Sequence, residues 1–226
     1  MTMLNSPLLE GIGRKHGTDK SAEGPGGHDY LRKYEFFLSP LRDEEFTLLE
    51  LGIYRGASLR TWEEYFPKAR IVGVDVEPET KAMAGGRIET VLGDLSKTAF
   101  VETLRELEAR VIIDDASHWW PDQLRSLFVL YPAMPKGGVY IVEDIHTSFQ
   151  PLAPMFSAGL DSPPARVLLK VAEYMTGNGK TTTFDPQRRM LPLSPDPVFH
   201  NDVRAMADMT DLTVFMEGSC ILVKKG

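Results

Sequence analysis

Cysteine is nearly absent from this sequence of 226 residues, in which Cys220 is the single example. One cysteine excludes an intramolecular disulfide bond and a structural zinc site built from several cysteines. Because Cys220 stands in an apolar run near the end of the chain, we expect it to be a small, buried strand residue.

Long apolar runs are also missing, since no stretch approaches the roughly 18 residues that suggest a membrane-spanning helix. The first residues lack the basic segment followed by an apolar segment that marks a secretory signal. These two absences predict a soluble, cytoplasmic protein without a membrane partner.

Positive charge is in the minority, with 25 Lys and Arg against 32 Asp and Glu, a net charge of −7 and a pI near 5.3. This balance argues against nucleic acid or an anionic membrane as a partner. The apolar content of 42% is ordinary for a globular protein and allows a full core. The length fits one large domain, or one domain with a substantial insertion.

Strand and helix patterns alternate through the middle of the chain. Such alternation predicts an α/β fold, with a mostly parallel sheet, right-handed crossovers and helices on both faces. After Phe149 the regular pattern stops, and the last residues read as a helix followed by a hairpin. The predicted strands are Phe46–Leu51, Arg70–Val76, Ile88–Leu92, Val111–Asp114, Val139–Glu143, Asp211–Met216 and Ser219–Val223; the predicted helices are Asp29–Leu38, Ser58–Phe66, Thr98–Ala109, Pro121–Tyr131, Ala165–Met175 and Asn201–Met209.

Two predicted strands end in pairs of carboxylates, each followed by a histidine. Open α/β sheets bind ligands at the carboxyl ends of their strands, so Asp115, Glu143 and Asp144 are candidates for one metal site. A ligand set made only of oxygen favours Mg²⁺, Ca²⁺ or Mn²⁺ over zinc, and leaves positions for two neighbouring substrate hydroxyls. The alternative is that some of these acids cap helices or pair with arginines.

His118 lies three residues after Asp115, close to where a metal-bound hydroxyl would lose its proton. We expect it to be the general base. The alternative is a surface histidine beside Trp119 and Trp120. His146 is the second candidate base, or a group that orients a carboxylate.

A glycine-containing turn follows the first strand and carries Glu50, Gly52 and Gly56. Glycine lets the backbone approach a ligand closely, and an acid there suits a positively charged ligand such as an ammonium or sulfonium group. Asp75, at the end of the second strand, suits the ribose hydroxyls of an adenosine or the N-cap of a helix. Asp94, after the third strand, suits an adenine amino group or, again, a cap.

Taken as a set, these features resemble the S-adenosylmethionine site of class I methyltransferases. The patterns Asp-Asp-x-Ser-His and Val-Glu-Asp-Ile-His-Thr-Ser narrow the resemblance to Mg²⁺-dependent sugar O-methyltransferases of the macrocin and mycinamicin type. The segment His16-Gly-Thr-Asp-Lys20, with His28 and Tyr30, resembles the same group.

The resemblance implies that Asp115, Glu143 and Asp144 bind the metal and that His118 is the base. The cofactor-binding positions that we assign are Lys20, Glu50, Gly52, Tyr54, Gly56, Ser58, Asp75, Asp94 and Asp114. Lys20 could meet the cofactor's carboxylate from a mobile segment that closes over it, or belong to a solvated run of charges. The sequence departs from the family at Ala116, where glycine is usual, and it shows no counterpart of the extra N-terminal domain of larger members.

The fold expected from this resemblance is one class I methyltransferase domain with a seven-stranded, mostly parallel sheet and an antiparallel C-terminal hairpin. Within it we expect a cap or lid at residues 1–44, a cofactor- and metal-binding core at 45–149, an acceptor-binding insertion at 150–200 and a terminal helix and hairpin at 201–226.

The expected reaction is methyl transfer from S-adenosylmethionine, with Mg²⁺, to a hydroxyl of a sugar in an antibiotic-type secondary metabolite. The partner is thus a small acceptor with vicinal hydroxyls, and a homo-oligomer is left open. Two alternatives remain: a catechol-type enzyme, in which Tyr54, Trp119 and Trp120 stack an aromatic diol, and a non-catalytic binding protein of the same fold.

Overall fold

A computed structural model describes residues 7–23, 26–176 and 197–226. Its seven strands are β1 Thr47–Leu51, β2 Arg70–Asp75, β3 Ile88–Leu92, β4 Val111–Asp114, β5 Val139–Val142, β6 Thr210–Met216 and β7 Ser219–Lys224. Its α-helices are α1 Pro7–His16, α2 Leu31–Leu38, α3 Ala57–Tyr65, α4 Thr98–Thr103, α5 Trp120–Leu130, α6 Ala153–Phe156, α7 Pro164–Met175 and α8 Pro197–Met209.

The strands form a seven-stranded sheet of order β3-β2-β1-β4-β5-β7-β6. β1 pairs in parallel with β2 and β4, and β2 pairs in parallel with β3. The C-terminal hairpin is antiparallel, with β7 between β5 and β6. The predicted fold class is therefore confirmed, and every predicted strand is present within two residues of its expected ends.

The chain divides by its internal contacts into two compact units, Met1–Asp94 with Ala109–Ala116 and Leu95–Glu108 with Ser117–Gly226. The first unit holds β1 to β4. Leu48, Leu49 and Leu51 of β1 are fully buried, as expected for a parallel strand covered on both faces. In this unit Glu50, Asp75 and Asp114 lie at or next to the carboxyl ends of β1, β2 and β4.

The second unit contains the C-terminal hairpin and the helices α4 to α8. The Tyr131 hydroxyl and the Thr210 hydroxyl lie 2.9 Å apart and join the end of α5 to the start of β6. Cys220 is buried in β7, as predicted, and burial raises the pKa of its thiol far above the usual range. This cysteine is therefore an inert core residue.

Helix α1 and the short helix α6 are the two α-helices of the described residues that the sequence did not predict. Gly11 and Gly13 lower the helix propensity of α1 by about 1 kcal/mol each relative to alanine, so the local pattern reads as a loop. A Cβ at Gly13 would stand 2.0 Å from a side-chain carbon of Leu31. The glycine therefore allows α1 to pack closely on α2, and the gain from packing outweighs the loss of propensity.

The remaining expectations concern one helix, the acceptor-binding insertion, membrane-spanning helices and the domain organisation. The helix predicted over Thr98–Ala109 ends at Thr103 and continues as a 3₁₀ helix over Leu104–Leu107. Residues 177–196 of the proposed acceptor-binding insertion, which was predicted over 150–200, lie outside the described residues. No helix among those described is long and apolar enough to cross a membrane. The single-domain organisation stays a prediction.

Candidate active site

The turn between β1 and α3 is shaped by the backbone of the chain segment after β4. Gly52 has φ +92°, and a Cβ there would stand 2.2 Å from the carbonyl oxygen of Asp115. Its amide donates a hydrogen bond to the carbonyl of Val74. Glycine at this position is therefore required by the protein's own backbone, whatever ligand the turn also meets.

Further along the same turn, Tyr54 and Gly56 also have positive φ, at +50° and +69°. Gly56 is the residue before α3, and its amide closes the turn by donating to the carbonyl of Ile53. Tyr54 is 79% exposed. The central carbon of the Arg55 guanidinium lies over the Tyr54 ring, 5.1 Å from the centre of that ring. The role of Tyr54 as a cofactor contact stays a prediction.

Glu50 is a fully buried carboxylate at the carboxyl end of β1. Its Oε2 accepts hydrogen bonds from the Ser58 hydroxyl at 2.8 Å and the Trp62 indole at 3.2 Å. Its Oε1 accepts no hydrogen bond from the residues that the structure describes. Burial raises the pKa of Glu50 to about 7, against the opposing effect of the Lys20 ammonium. A buried acid with an unsatisfied oxygen fits a cationic ligand.

Trp62 is a part of this arrangement that the sequence analysis missed. A signal for it exists, because Ser58 and Trp62 are four residues apart on α3 and so share one helix face. Both side chains reach the same Glu50 oxygen. The indole therefore holds the carboxylate in place through a group that cannot accept a hydrogen bond in return.

Lys20 reaches the same place from the N-terminal segment. Its side chain is almost fully buried, and its Nζ contacts Asp115 Oδ2 and lies 3.7 Å from Glu50 Oε1. The idea of a solvated charge run is therefore wrong for Lys20. The structure thus brings Lys20, Glu50, Ser58 and Asp115 together, although they are far apart in the chain.

Asp75, at the end of β2, accepts hydrogen bonds from the backbone of the turn that follows β1. Its Oδ2 accepts the amides of Ile53 at 2.8 Å and Tyr54 at 3.2 Å, and its Oδ1 accepts the amide of Glu77 at 3.0 Å. It therefore fixes the backbone that follows β1. Each carboxylate oxygen has two lone pairs, so these bonds leave acceptor capacity for a ribose hydroxyl.

Three other predicted positions lie at the strand ends of the first unit. Asp114 is buried as the last residue of β4, beside Leu51 of β1. Asp94 is half-buried after Gly93, whose amide donates to the carbonyl of Asp75. Asp115 is also half-buried, and its amide donates to the carbonyl of Leu51. Their predicted roles toward cofactor and metal stay predictions.

Ala116, the departure from the family pattern, does not have positive φ; His118, two residues later, does, at +56°. The turn therefore accepts alanine at 116 without strain, and the left-handed residue is His118 itself. Histidine tolerates this conformation better than most side chains.

In the second unit, His118 pairs with a carboxylate that follows β5. Its Nε2 lies 3.2 Å from Asp144 Oδ2, and His146 Nδ1 lies 3.8 Å from Asp144 Oδ1. Asp144 has φ +54°, and the neighbouring Glu143 is buried, with its carbonyl accepting a hydrogen bond from the Gln123 side chain. Asp144 thus faces both candidate bases, and His118 is the nearer and less exposed one.

The two tryptophans beside His118 differ in burial. Trp120 is buried at the start of α5, whereas Trp119 is half exposed. The ring of Phe156 lies 6.4 Å from that of His118. Trp120 is therefore a core residue, and its burial argues against a role in stacking an aromatic acceptor.

Comparison with solved structures gives a match over 98% of this chain and 55% of the other, with a TM-score of 0.76 and 20% sequence identity. That structure is the MycE methyltransferase from the mycinamycin biosynthetic pathway, in complex with Mg, SAH and mycinamycin VI. The fold is that of a Rossmann-like methyltransferase. At this identity the likeness to MycE shows the fold alone.

Sequence comparison finds curated relatives that are named as O-methyltransferases. One is 8-demethyl-8-alpha-L-rhamnosyl tetracenomycin-C 2'-O-methyltransferase of Streptomyces olivaceus, 33% identical over 154 residues, which are 64% of this chain and 39% of the relative. Another is demethylmacrocin O-methyltransferase of Streptomyces fradiae, 33% identical over 151 residues, 62% of this chain and 36% of the relative. The chain spans well under half the length of these relatives. No protein-family model matches it.

These relatives confirm the resemblance to sugar O-methyltransferases of antibiotic biosynthesis that the motifs indicated. A further relative found by sequence comparison is L-olivosyl-oleandolide 3-O-methyltransferase of Streptomyces antibioticus.

Proposed function

We propose that the protein is an S-adenosylmethionine- and Mg²⁺-dependent O-methyltransferase that acts on a sugar hydroxyl of a secondary metabolite. The observation that carries the proposal is Glu50, a buried carboxylate with an unsatisfied oxygen at the carboxyl end of β1 in a methyltransferase fold. The named activities of the relatives support the reaction class and the kind of acceptor.

The residues of the first unit fit the cofactor. Glu50 offers a negative charge to the ammonium or sulfonium group, and Lys20 offers a positive charge to the carboxylate. Asp75 holds the turn and keeps acceptor capacity for the ribose. Asp94 is assigned to the adenine amino group. Ser58 acts through Glu50, whose carboxylate it orients.

The donor set after β4 and β5 fits a hard cation, because Asp115, Glu143 and Asp144 supply only oxygen atoms. When bound, Mg²⁺ would supply Lewis-acid chemistry that makes an acceptor hydroxyl more acidic. Asp115, Glu143 and Asp144 would hold it, and vicinal hydroxyls of the acceptor would suit a hard cation.

His118 is assigned as the group that takes the hydroxyl proton. Its ring lies 3.2 Å from Asp144, and a carboxylate beside an imidazole stabilises the imidazolium that forms when the proton arrives. Most of the remaining acceleration comes from holding the acceptor oxygen in line with the methyl group.

The test is methyl transfer from S-adenosylmethionine to a matched set of acceptors, followed by mass spectrometry, with MgCl₂ or with EDTA. We expect Mg²⁺-dependent methylation of rhamnosides or other deoxysugar glycosides and none of the free aglycone. Methylation that EDTA leaves unchanged would contradict the metal assignment. Absence of transfer to any glycoside would contradict the acceptor class.

A catechol acceptor is the second candidate, favoured by the exposed rings of Tyr54 and Trp119. Burial of Trp120 removes one of the three rings on which this alternative depended. Catechols therefore belong in the acceptor panel, and faster turnover of catechols than of glycosides would favour this candidate. We also propose a cytoplasmic location, and the oligomeric state stays a prediction.

A further inference from the structure

Lys20 is a buried cation placed against two carboxylates that have different assigned roles. Its Nζ contacts Asp115, the assigned metal ligand, and lies 3.7 Å from Glu50, the assigned cofactor ligand. The backbone holds this lysine firmly, because its carbonyl accepts hydrogen bonds from the amides of Tyr30 and Leu31. A change of partner by the ammonium therefore requires only rotation of the Lys20 side chain.

The Lys20 ammonium lies closer to the carboxylate of Asp115 than to that of Glu50. Asp115 is in close contact with it, whereas the distance to Glu50 Oε1 exceeds that of a hydrogen bond. Glu50 Oε1 is buried and finds no hydrogen-bond donor within residues 7–23, 26–176 and 197–226. A buried acceptor without a hydrogen-bond donor is unfavourable. Glu50 Oε1 is therefore a second acceptor for the Lys20 ammonium, which lies 3.7 Å away and can approach it by rotation of the side chain.

We propose that Lys20 couples metal binding at Asp115 to cofactor binding at Glu50. The inference rests on the proposed function and adds a link between its two assigned sites. A divalent cation held by Asp115 would repel the ammonium and occupy the carboxylate that the ammonium now contacts. The ammonium would then lie beside Glu50, whose Oε1 has two lone pairs and so keeps one for the ammonium group of the cofactor.

The pair formed by Lys20 and Glu50 matches the amino-acid end of the cofactor. That end carries a carboxylate and an ammonium group, and Lys20 and Glu50 present one charge complementary to each. Metal binding therefore strengthens cofactor binding, and by thermodynamic reciprocity the cofactor strengthens metal binding by the same factor.

The experiment is calorimetric titration of S-adenosylhomocysteine into the wild-type protein with MgCl₂ or with EDTA. We expect Mg²⁺ to lower the Kd by about tenfold, within the usual range of coupling between sites. The control ligand is 5′-methylthioadenosine, which lacks the amino-acid end, and its Kd should not respond to Mg²⁺.

The variant Lys20→Met should bind S-adenosylhomocysteine with the same Kd in MgCl₂ and EDTA. The matched control is Lys15→Met, which removes the same charge from an exposed lysine that pairs with Glu64, and it should keep the wild-type response. If Lys20→Met does not fold, Lys20→Gln should show the same loss of response.

Two outcomes overturn the inference: a Mg²⁺ effect that persists in Lys20→Met, or its absence in the wild type although S-adenosylhomocysteine binds. Failure of the wild type to bind S-adenosylhomocysteine at all would instead overturn the proposed function, and the coupling with it.

Discussion

Glu50 illustrates at a single residue how this protein places charge where charge is unfavourable. Its carboxylate is fully buried, and burial raises its pKa to about 7. Ser58 and Trp62 donate to one oxygen and partly offset the loss of water. Such a group destabilises the free protein and gains a partner when a cation arrives, which is a common compromise at functional sites.

The first prediction follows from this pKa. Between its ordinary value of 4.5 and about 7, folded Glu50 keeps a proton that the unfolded chain has lost, so stability falls as the pH rises through this window. Glu50→Gln removes this loss. We expect the wild type to lose roughly 3 kcal/mol relative to Glu50→Gln between about pH 4.5 and pH 8, at about 1.4 kcal/mol per pKa unit.

Urea denaturation of both proteins across this pH range measures the difference. Glu50→Gln also leaves Lys20 with one acidic partner fewer, so the two proteins are compared by how their stability changes with pH and not by its absolute value. Parallel stability profiles for the two proteins would contradict the raised pKa.

The second prediction concerns Gly52. In Gly52→Ala the new Cβ meets the carbonyl of Asp115 and the residue keeps a φ of +92°, so both packing and backbone are strained. We expect a loss of roughly 2–5 kcal/mol in the free energy of unfolding. Gly11→Ala is the control, because nothing lies within 4 Å of its Cβ in helix α1; it should be neutral or stabilising by up to about 1 kcal/mol. Equal stability of the two variants would contradict the close approach.

The third prediction tests His118. We expect His118→Asn to lower kcat by about 10²–10⁴-fold, while the Kd for S-adenosylhomocysteine changes little. Asparagine is chosen because it also tolerates the positive φ at this position. His146→Asn is the control, since His146 is more exposed and farther from Asp144. A larger loss in the His146 variant would reverse the assignment of the base.

Whole elements in this protein are held in place by a few buried polar side chains. The N-terminal stretch from α1 to Lys20 depends on two glutamates. Glu35 of α2 accepts the amide of Leu9, and Glu10 of α1 accepts the Ser21 hydroxyl and the Ala22 amide. These hydrogen bonds fix helix α1 and the segment that follows it, and they place Lys20 in the candidate site.

The fourth prediction follows at this scale. Glu10→Ala leaves the Ser21 hydroxyl and the Ala22 amide without their acceptor, which should lower stability by about 1–3 kcal/mol. Hydrogen exchange at the Ala22 amide should accelerate. Glu23→Ala is the control, because Glu23 pairs with Arg14 in an exposed ion pair and should change stability by about 0.5 kcal/mol or less. If both variants behave alike, Glu10 does not anchor the segment.

At the scale of the whole molecule, ligand binding and folding are linked. A ligand that binds only the folded state raises the free energy of unfolding by about 2.7 kcal/mol when its concentration is about 100 times its Kd. For a protein of this length that corresponds to a rise in Tm of about 5–10 °C. We therefore expect S-adenosylhomocysteine to raise the Tm in differential scanning fluorimetry and adenosine alone to raise it less. No shift at saturating S-adenosylhomocysteine would contradict the cofactor assignment.

The succession of strands along the chain and the positions of the strand ends were determined by the sequence alone, whereas the order of the strands in the sheet was not predicted. The reason is local: buried parallel strands read as apolar runs, and Asp75, Asp115 and Asp144 stand where those runs stop. The fold class and the candidate residues follow from these positions, because parallel strands carry their ends to one edge of a sheet.

What only the tertiary structure decided is how residues distant in the chain meet. The requirement for glycine at 52 comes from the backbone of Asp115, the docking of α1 comes from Glu35, and the partners of Lys20 are Glu50 and Asp115. Sequence patterns record the preferences of neighbouring residues, whereas these contacts depend on packing between segments that the chain brings together only when it folds.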